Sequence, residues 1–584
     1  MAAVPQTKVL ILHPEDGIAE SESVAPYDLV IDLGRASPGT YERWSKQTRS
    51  QVICLYDFVA EDEDIYRTRS LLNLGRHSLI DRMGIDWWSV LWPEMLVPLQ
   101  QLILVQRLAK YIDRECDLYS SRADYRCAAL HLVLGGRITN LEGFFRASAR
   151  RVGHYAEVAS TFDLKQIFQI AQDKFDNKHA LRSRLARRSP TSNRPSILLP
   201  SAYINVSRAA LAYAASLPQE QFLLVCARDN AKVPQLFPNV QMTSLDPYFS
   251  PPDPHEARSL LELWGRLKMR LAGTAPEYKS GAAVGLLDRI PFMIRRGIAI
   301  RDAWKNLFDS ENICSCFSAD HNNVYTRIPL LLARRAGIPA VACHHGALDG
   351  GMAITTHDAD FYLAKSQMER DYMIRVCDIA PEKVICCAPD RAEFIPRGRS
   401  FPNKSSMVFF SEPYSVWSWR MDEVYRDLLP RLYALAEECR VKLVVKLHPF
   451  ESTGTYQQLL STHLGTEKMR SVEIVDGAIS EELWQNTRFA LTAQSSIALE
   501  CTARGIPIFL CGWLRDPFSG YIQQYQKFGI GRLVETVDQI AQIPELLASG
   551  TPQYPEPGHL PDSVNSEILK HLLSPCHALQ DATG

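Results

Sequence analysis

Short apolar runs alternate along this chain with longer stretches in which apolar residues recur every three or four positions. That alternation is the signature of parallel strands separated by helices. Runs at 8–12, 28–33 and 51–56 predict three strands near the start. From 62 to 186 the pattern is helical, with Trp87, Trp88, Trp92 and the apolar stretch 95–108 as core candidates. The alternation then resumes. Runs at 196–199 and 222–225 flank a helical stretch at 207–216, a compact βαβ unit. Runs at 313–317 and 339–343 flank another at 324–336, stopped by Gly337 and Pro339. Residues 388–405 are dense in Pro, Gly, Arg and Ser and read as a linker. A fresh series follows, with runs at 407–410, 442–447, 472–475, 489–492 and 506–510.

The pattern predicts an α/β protein of two Rossmann-like lobes with a cleft between them. The first lobe spans 1–387 with a helical insertion over 62–186. The second spans 406–550, and a Pro-rich tail at 551–584 lies at the periphery. Ligands in such sheets bind beyond the C-terminal ends of the strands.

Composition narrows the class. A chain of 584 residues exceeds one simple domain, and 46% hydrophobic with 22% charged residues is ordinary for a globular protein. The net charge of −2 gives no overall field towards nucleic acid, so no nucleic-acid partner is expected. The first residues lack the apolar core of a secretory signal. No run of about 18 apolar residues stands out, so no transmembrane helix is expected. The 14 cysteines are scattered, often within apolar runs, and read as reduced buried thiols. Neither Cys314 with Cys316 nor Cys386 with Cys387 has the second pair that a zinc site needs. The basic stretch 178–188 reads as a solvated face or as a membrane-surface patch. There is no Walker A loop, no Gly-x-Gly-x-x-Gly after a strand and no Gly-x-Ser-x-Gly. The acidic pairs Asp62 with Asp64 and Asp358 with Asp360 read as solvated, so no metal is expected.

Candidate chemistry lies at strand ends. The run 442–447 leads to Lys446, His448 and Pro449; proline turns the chain, and the histidine at the tip suits a phosphate oxygen or a leaving phosphate. Lys446 alternates with His448 and shares its face. The run 489–492 leads to Ser495 and Ser496 at the mouth of a helix, where free N–H groups suit an anion. Glu500, one turn in, suits a ribose or sugar hydroxyl, or supports the loop. Each alone has a plain alternative: an ordinary strand-end histidine, an ordinary helix cap. Their order in one lobe makes the signal more specific. In the first lobe, His345 and Gly346 follow the run 339–343, and His345 suits a general base with Asp320 and His321 as orienting partners. Asp16, beside Glu15 and Gly17 after the first strand, is a second candidate base or a turn.

Together these residues resemble GT-B glycosyltransferases of bacterial surface and capsule polysaccharide synthesis. The groups in view are the capsule polysaccharide/Kdo transferases, the bacterial sialyl- and polysialyltransferases and the CDP-glycerol glycerophosphotransferases. Lys446, His448, Pro449, Ser495 and Ser496 match the motifs that hold the donor phosphate there. His345 with Gly346 is similar to a His-Gly motif with a catalytic role, and Glu15-Asp16-Gly17 is similar to an acidic motif whose acid is the base. The resemblance covers about 310–515 and is architectural before that. It implies a GT-B-like fold and a metal-independent, cytoplasmic enzyme, peripheral at the inner membrane. Its substrates would be a CMP- or CDP-linked sugar donor and a glycan or lipid-linked acceptor. It implies no cofactor beyond the nucleotide-sugar substrate, and contact with a membrane or a polysaccharide-assembly complex. A CDP-alditol polyol-phosphate transferase and a sugar-nucleotide epimerase are the alternatives on the same fold.

Overall fold

The computed structural model describes residues 7–14, 16, 27–121, 124–140, 194–228, 236–250, 253–320, 323–346, 348, 358–388, 404–414, 418–516, 518, 521–549 and 566–574. Among them, strands gather into three sheets in which the pairings are parallel. The five-stranded sheet holds β1 (Thr7–Leu12), β2 (Leu29–Asp32), β3 (Gln51–Cys54), β4 (Cys116–Ser120) and β5 (Ile138–Asn140), in the order β3-β2-β1-β4-β5. The seven-stranded sheet holds β6 (Ser196–Ser201), β7 (Phe222–Cys226), β8 (Val240–Ser244), β9 (Ile313–Ser318), β10 (Ala340–Cys343), β11 (Phe361–Ala364) and β12 (Val384–Cys386), in the order β12-β11-β10-β9-β6-β7-β8. The six-stranded sheet holds β13 (Ser406–Phe410), β14 (Lys442–Lys446), β15 (Glu473–Val475), β16 (Thr487–Thr492), β17 (Ile508–Cys511) and β18 (Arg532–Val534), in the order β15-β14-β13-β16-β17-β18.

Each sheet has the same logic. Its first and fourth strands are neighbours, and the strand order reverses between them, as in the Rossmann arrangement. The fold is α/β, a GT-B-like plan: β6–β12 hold the later runs expected in the first lobe and β13–β18 those expected in the second. The early runs at 8–12, 28–33 and 51–56, expected in the first lobe, belong to a separate sheet, the five-stranded one. It accounts for a difference from the expected helical insertion over 62–186. The helices Glu61–Gly75, Trp87–Ile112 and Tyr125–Leu134 are there, but β4 and β5 interrupt them and pair in register beside β1. Residues 1–387 therefore carry two sheets. The basic stretch 178–188 and linker residues 389–403 lie outside the described residues.

The chain divides into two compact units. One comprises Met1–Glu61, Gln101–Gly153 and Glu393–Leu560, with the five- and six-stranded sheets. The other comprises Asp62–Gln100, His154–Ala392 and Pro561–Gly584, with the seven-stranded sheet. In the first unit, β13 is buried at every residue, as the central strand of a parallel sheet must be. The helix Met421–Glu438 packs its Val424, Leu428, Leu432 and Leu435 stripe against β13, β14 and β16. The two sheets of this unit are joined by charge. Arg420 donates to both carboxylate oxygens of Asp32, at 2.5 to 3.1 Å, with both side chains almost wholly buried. Its guanidinium also lies 4.8 Å from the Trp44 ring. Arg43 reaches Glu423 at 2.8 Å and Asp427 at 3.0 Å.

In the second unit, Trp87, Trp88 and Trp92 are fully buried. The Trp87 ring lies so close to Gly297 that a Cβ there would meet it at 2.2 Å, so the helix Ile290–Ser310 needs glycine at this position. The helix Trp87–Ile112 is long and apolar enough to cross a membrane, contrary to the expectation from the runs, yet 78% of its apolar window is buried inside the protein. Arg301, fully buried, is held by Asp81, Glu256 and Asp302 at 2.6 Å each. The tail expected at the periphery includes the helix Ser566–Leu572, whose Leu569 and Leu572 lie in the core beneath β6, β7 and β9.

Candidate functional site

A doubly wound sheet opens a crevice where its strand order reverses. In the six-stranded sheet that place is between β13 and β16, flanked by β14. The candidate donor residues stand on these ends. Lys446 closes β14, His448 follows it, and Ser495 and Ser496 follow β16.

Local sequence explains each placement. The turn after β14 is closed by Glu451, whose Oε2 accepts the His448 N–H at 2.9 Å. The His448 Nδ1 accepts the Phe450 N–H at 3.2 Å, so the neutral ring carries its proton on Nε2. His448 is half-buried and Phe450 beside it is exposed. Lys446 is buried, and its ammonium donates to the Leu447 carbonyl at 2.6 Å. Burial pushes the Glu451 carboxyl up, and the hydrogen bonds it accepts and the Lys446 charge oppose that shift. Glu451 Oε1 accepts from Ser411 Oγ at 2.9 Å and from the Tyr456 hydroxyl at 3.2 Å. Burial holds the Tyr425 and Tyr456 phenols well above their usual range, so both stay protonated donors.

The loop after β16 is set by Glu412, a buried carboxylate that no motif marks. Its Oε1 accepts the N–H of Gln494 at 2.8 Å, the N–H of Ser495 at 3.0 Å and the Thr492 hydroxyl at 3.2 Å. The first amides of this loop thus already hold an anion, one belonging to the chain. That changes the expectation that the whole Ser495–Ser496 turn is free for a ligand. Ser495 Oγ accepts the Ile497 N–H at 3.4 Å, and its carbonyl accepts from Tyr525 at 3.0 Å. Ser496 stands at the N-cap position of the helix Ile497–Ala503 and makes no side-chain capping bond, so the plain cap reading does not describe it. Glu500 lies half-buried in the first turn of that helix.

In the seven-stranded sheet the reversal is between β6 and β9. Asp320, almost wholly buried, follows β9, and its Oδ2 accepts from Asn323 at 2.6 Å. His345 follows β10, stacked on His344 with ring centroids 5.0 Å apart. Burial lowers the His345 pKa, the Asp320 charge opposes that shift and the Lys365 charge adds to it. The ring is therefore held neutral, the form a general base needs. Its Nδ1 has no hydrogen-bond partner among the described residues. Lys365 pins the loop, donating to the Gly346 carbonyl at 2.6 Å and pairing with Glu369 at 3.1 Å. Gly346 is not crowded: a Cβ there would meet only His344, at 4.0 Å. His321 lies outside the described residues.

In the five-stranded sheet the reversal is between β1 and β4. Asp16 accepts the His13 N–H and the Ser121 hydroxyl, each at 2.8 Å, and its carbonyl accepts from Arg420. The carboxylate of this candidate base is engaged in a turn. His13 is fully buried, its Nε2 2.8 Å from Ser120 Oγ and its Nδ1 3.3 Å from Asp124. Among the described residues no three His, Cys, Asp or Glu side chains converge as a metal site.

Sequence reasoning missed Glu412, Glu451 and Ser411. Only Glu451, three residues after His448, has a local signal, the spacing of a carboxylate that closes a turn onto a backbone N–H.

No protein-family model matches the chain, and no curated protein matches it. Solved structures are similar in fold. An MnaA–UDP co-structure from S. aureus shares 11% identity and covers 65% of this chain and 96% of its own, with a TM-score of 0.39. A UDP-GlcNAc 2-epimerase from Methanocaldococcus jannaschii, in complex with UDP-GlcNAc and UDP, shares 12% identity over 65% of this chain and 98% of its own, TM-score 0.38. The wall teichoic acid polymerase TagF shares 12% identity over 72% of this chain and 98% of its own, TM-score 0.38. The fold of the present chain rests on its own strand order.

Proposed function

We propose that the protein is a metal-independent glycosyltransferase that moves a sugar from a nucleotide donor, CMP- or CDP-linked, to a glycan or lipid-linked acceptor in surface polysaccharide synthesis. What supports the reading is that His448 follows β14 while Ser495 and Ser496 follow β16, the two strands either side of β13 at the strand-order reversal. The donor phosphate is held by His448 Nε2–H and the Ser495–Ser496 turn, with Lys446 supplying positive field from beneath and Glu500 taking a sugar or ribose hydroxyl. His448 stabilises the departing phosphate. His345, neutral by burial, removes the acceptor proton, and Asp320 steadies the imidazolium that forms. Asp16, tied into its turn, is set aside as the base in this reading. The location proposed is cytoplasmic, peripheral at the inner membrane.

A thermal-shift screen against CMP, CDP, UDP and GDP, followed by donor-hydrolysis assays, tests the reading. Binding of one nucleotide that His448→Ala abolishes supports it; no nucleotide bound by the wild type sinks it. Phosphorus retained in the product would assign polyol-phosphate transfer instead. Conversion of the donor with no acceptor present would assign epimerisation.

A further inference from the structure

The end of β6 carries a group of residues that the reading above leaves unused. Arg228, two residues beyond β7, donates from Nη1 to the Tyr203 hydroxyl at 2.6 Å. Its guanidinium lies 4.9 Å from the Tyr203 ring and 5.8 Å from the Tyr325 ring. Arg296 donates to the Tyr325 hydroxyl at 3.2 Å and lies 5.5 Å from the same ring. Two guanidinium groups therefore share one aromatic wall. Tyr203 follows β6 and Tyr325 opens the helix after β9, so the wall stands at the strand-order reversal of the seven-stranded sheet. Both arginines are half-buried.

Each guanidinium lies against the Tyr325 ring, Arg228 at 5.8 Å and Arg296 at 5.5 Å, and stacking on a phenol leaves the charge of a guanidinium in place. Arg228 meets phenols and no carboxylate among the described residues. One of its five N–H donors is used on Tyr203, and a planar fork held by an aromatic ring is pre-set for a two-oxygen anion. Asp320 connects this wall to the rest of the site. Burial raises the Tyr203 pKa, Arg228 opposes the shift, and Asp320 and Glu94 add to it. The same Asp320 charge acts on His345. Arg228, Tyr203, Asp320 and His345 follow β7, β6, β9 and β10, four adjacent parallel strands, so they stand along one edge of the sheet.

We propose that Arg228 and Arg296 form an oxyanion subsite that binds a phosphate or carboxylate group of the acceptor. The assignment to the acceptor rests on His345 being the base; the anion site itself does not. The acceptor is then an acidic glycan or a phosphate-linked chain, presented with a hydroxyl towards His345. Neutral sugars are poor acceptors.

Calorimetry on the full chain with CDP present tests this, using pyrophosphate, glucuronate and neutral glucose as probes. The expected result is that pyrophosphate or glucuronate binds and glucose does not. Which of the two binds tells phosphate from carboxylate. Arg228→Gln with Arg296→Gln should weaken that binding on the order of tenfold or more, while CDP binds as in the wild type. Should the double variant not fold, Tyr203→Phe, which keeps the ring and removes the hydroxyl holding Arg228, reads the same loss. Unchanged anion binding in these variants, or no anion binding by the wild type, overturns the proposal. Failure of CDP to bind the wild type counts against the donor reading alone, because the anion titration stays interpretable.

Discussion

The five-stranded and six-stranded sheets share one strand order and one compact unit, yet their strand-order reversals are furnished oppositely. At β1 and β4 the chain fills the place with its own groups: His13 is wholly buried against Ser120 and Asp124, and Arg126 is clamped by Asp124 at 2.6 Å. At β13 and β16 the Glu412 carboxylate takes the amides of Gln494 and Ser495 and Glu451 that of His448, while the side chains of Ser495, Ser496 and His448 stay half-exposed. A reversal in strand order is thus an opportunity for a ligand. Whether it is a candidate site depends on what the chain leaves unfilled.

The comparison can be broken by experiment. The largest effect expected is on the closed reversal. Asp124→Ala strands the buried Arg126 and removes the acceptor for two amides of the helix Tyr125–Leu134, so it should cost about 3 kcal/mol or more in urea unfolding. Turnover per folded molecule should hold. A loss of turnover at unchanged stability would make this reversal a working site after all. Next comes the open one. His448→Ala should cut turnover on the order of a hundredfold with little change in the unfolding midpoint, measured with the donor found by the nucleotide screen. Wild-type rates there would remove His448 from the chemistry. Glu412→Gln should do both in moderation. It keeps the size but presents an amide to N–H donors, costing about 1–3 kcal/mol of stability and loosening nucleotide binding.

Acidity sharpens the contrast further. Because burial depresses the His345 pKa, the ring is neutral at and above about 6.5, its ordinary value. Turnover should therefore rise with pH along a limb centred below that value, and His345→Gln should abolish the limb along with the rate. The same shift means that the unfolded chain binds the extra proton more readily. This contribution to stability is complete above the unfolded value and is lost as pH falls through the folded one. A limb centred above 6.5 would contradict the assignment. The smallest effect expected is at Gly346. Gly346→Ala should change stability by less than about 0.5 kcal/mol, since the added methyl meets only His344. Weaker acceptor binding without instability would mark close approach of substrate to that carbon.

Much of the architecture was legible because parallel strands buried on both faces write themselves as short apolar runs. The runs at 407–410, 442–447 and 489–492 are β13, β14 and β16 within a residue or two. The ends that carry His448 and Ser495 could be named from those runs, and the end that carries His345 from the run at 339–343, which is β10. Two kinds of element escaped. The strand β4, Cys-Asp-Leu-Tyr-Ser, alternates burial over only five residues and sits between strong helices, so nothing local separates it from them. Glu412 acquires its meaning only when β13 and β16 pair, bringing amides 82 and 83 positions away onto its carboxylate. Pairing at such separation is settled by the whole sheet, and no short window of sequence contains it.

The joining of Asp32 to Arg420 also dictates a timetable. During synthesis β2 is made early, but the cation that neutralises its buried carboxylate is 388 residues further on. At a typical pace of chain growth that is a delay of roughly 20–80 s. Through that interval the Asp32 carboxylate has the Gly34 N–H and the Tyr41 hydroxyl as donors but lacks its cation, while most residues of the other unit are made. The ion pair that joins the two sheets of this unit therefore forms only after most residues of the other unit have been made. A ribosome stalled before Arg420 would leave a fragment with an uncompensated charge where its interior should be, a natural object for a chaperone or a protease.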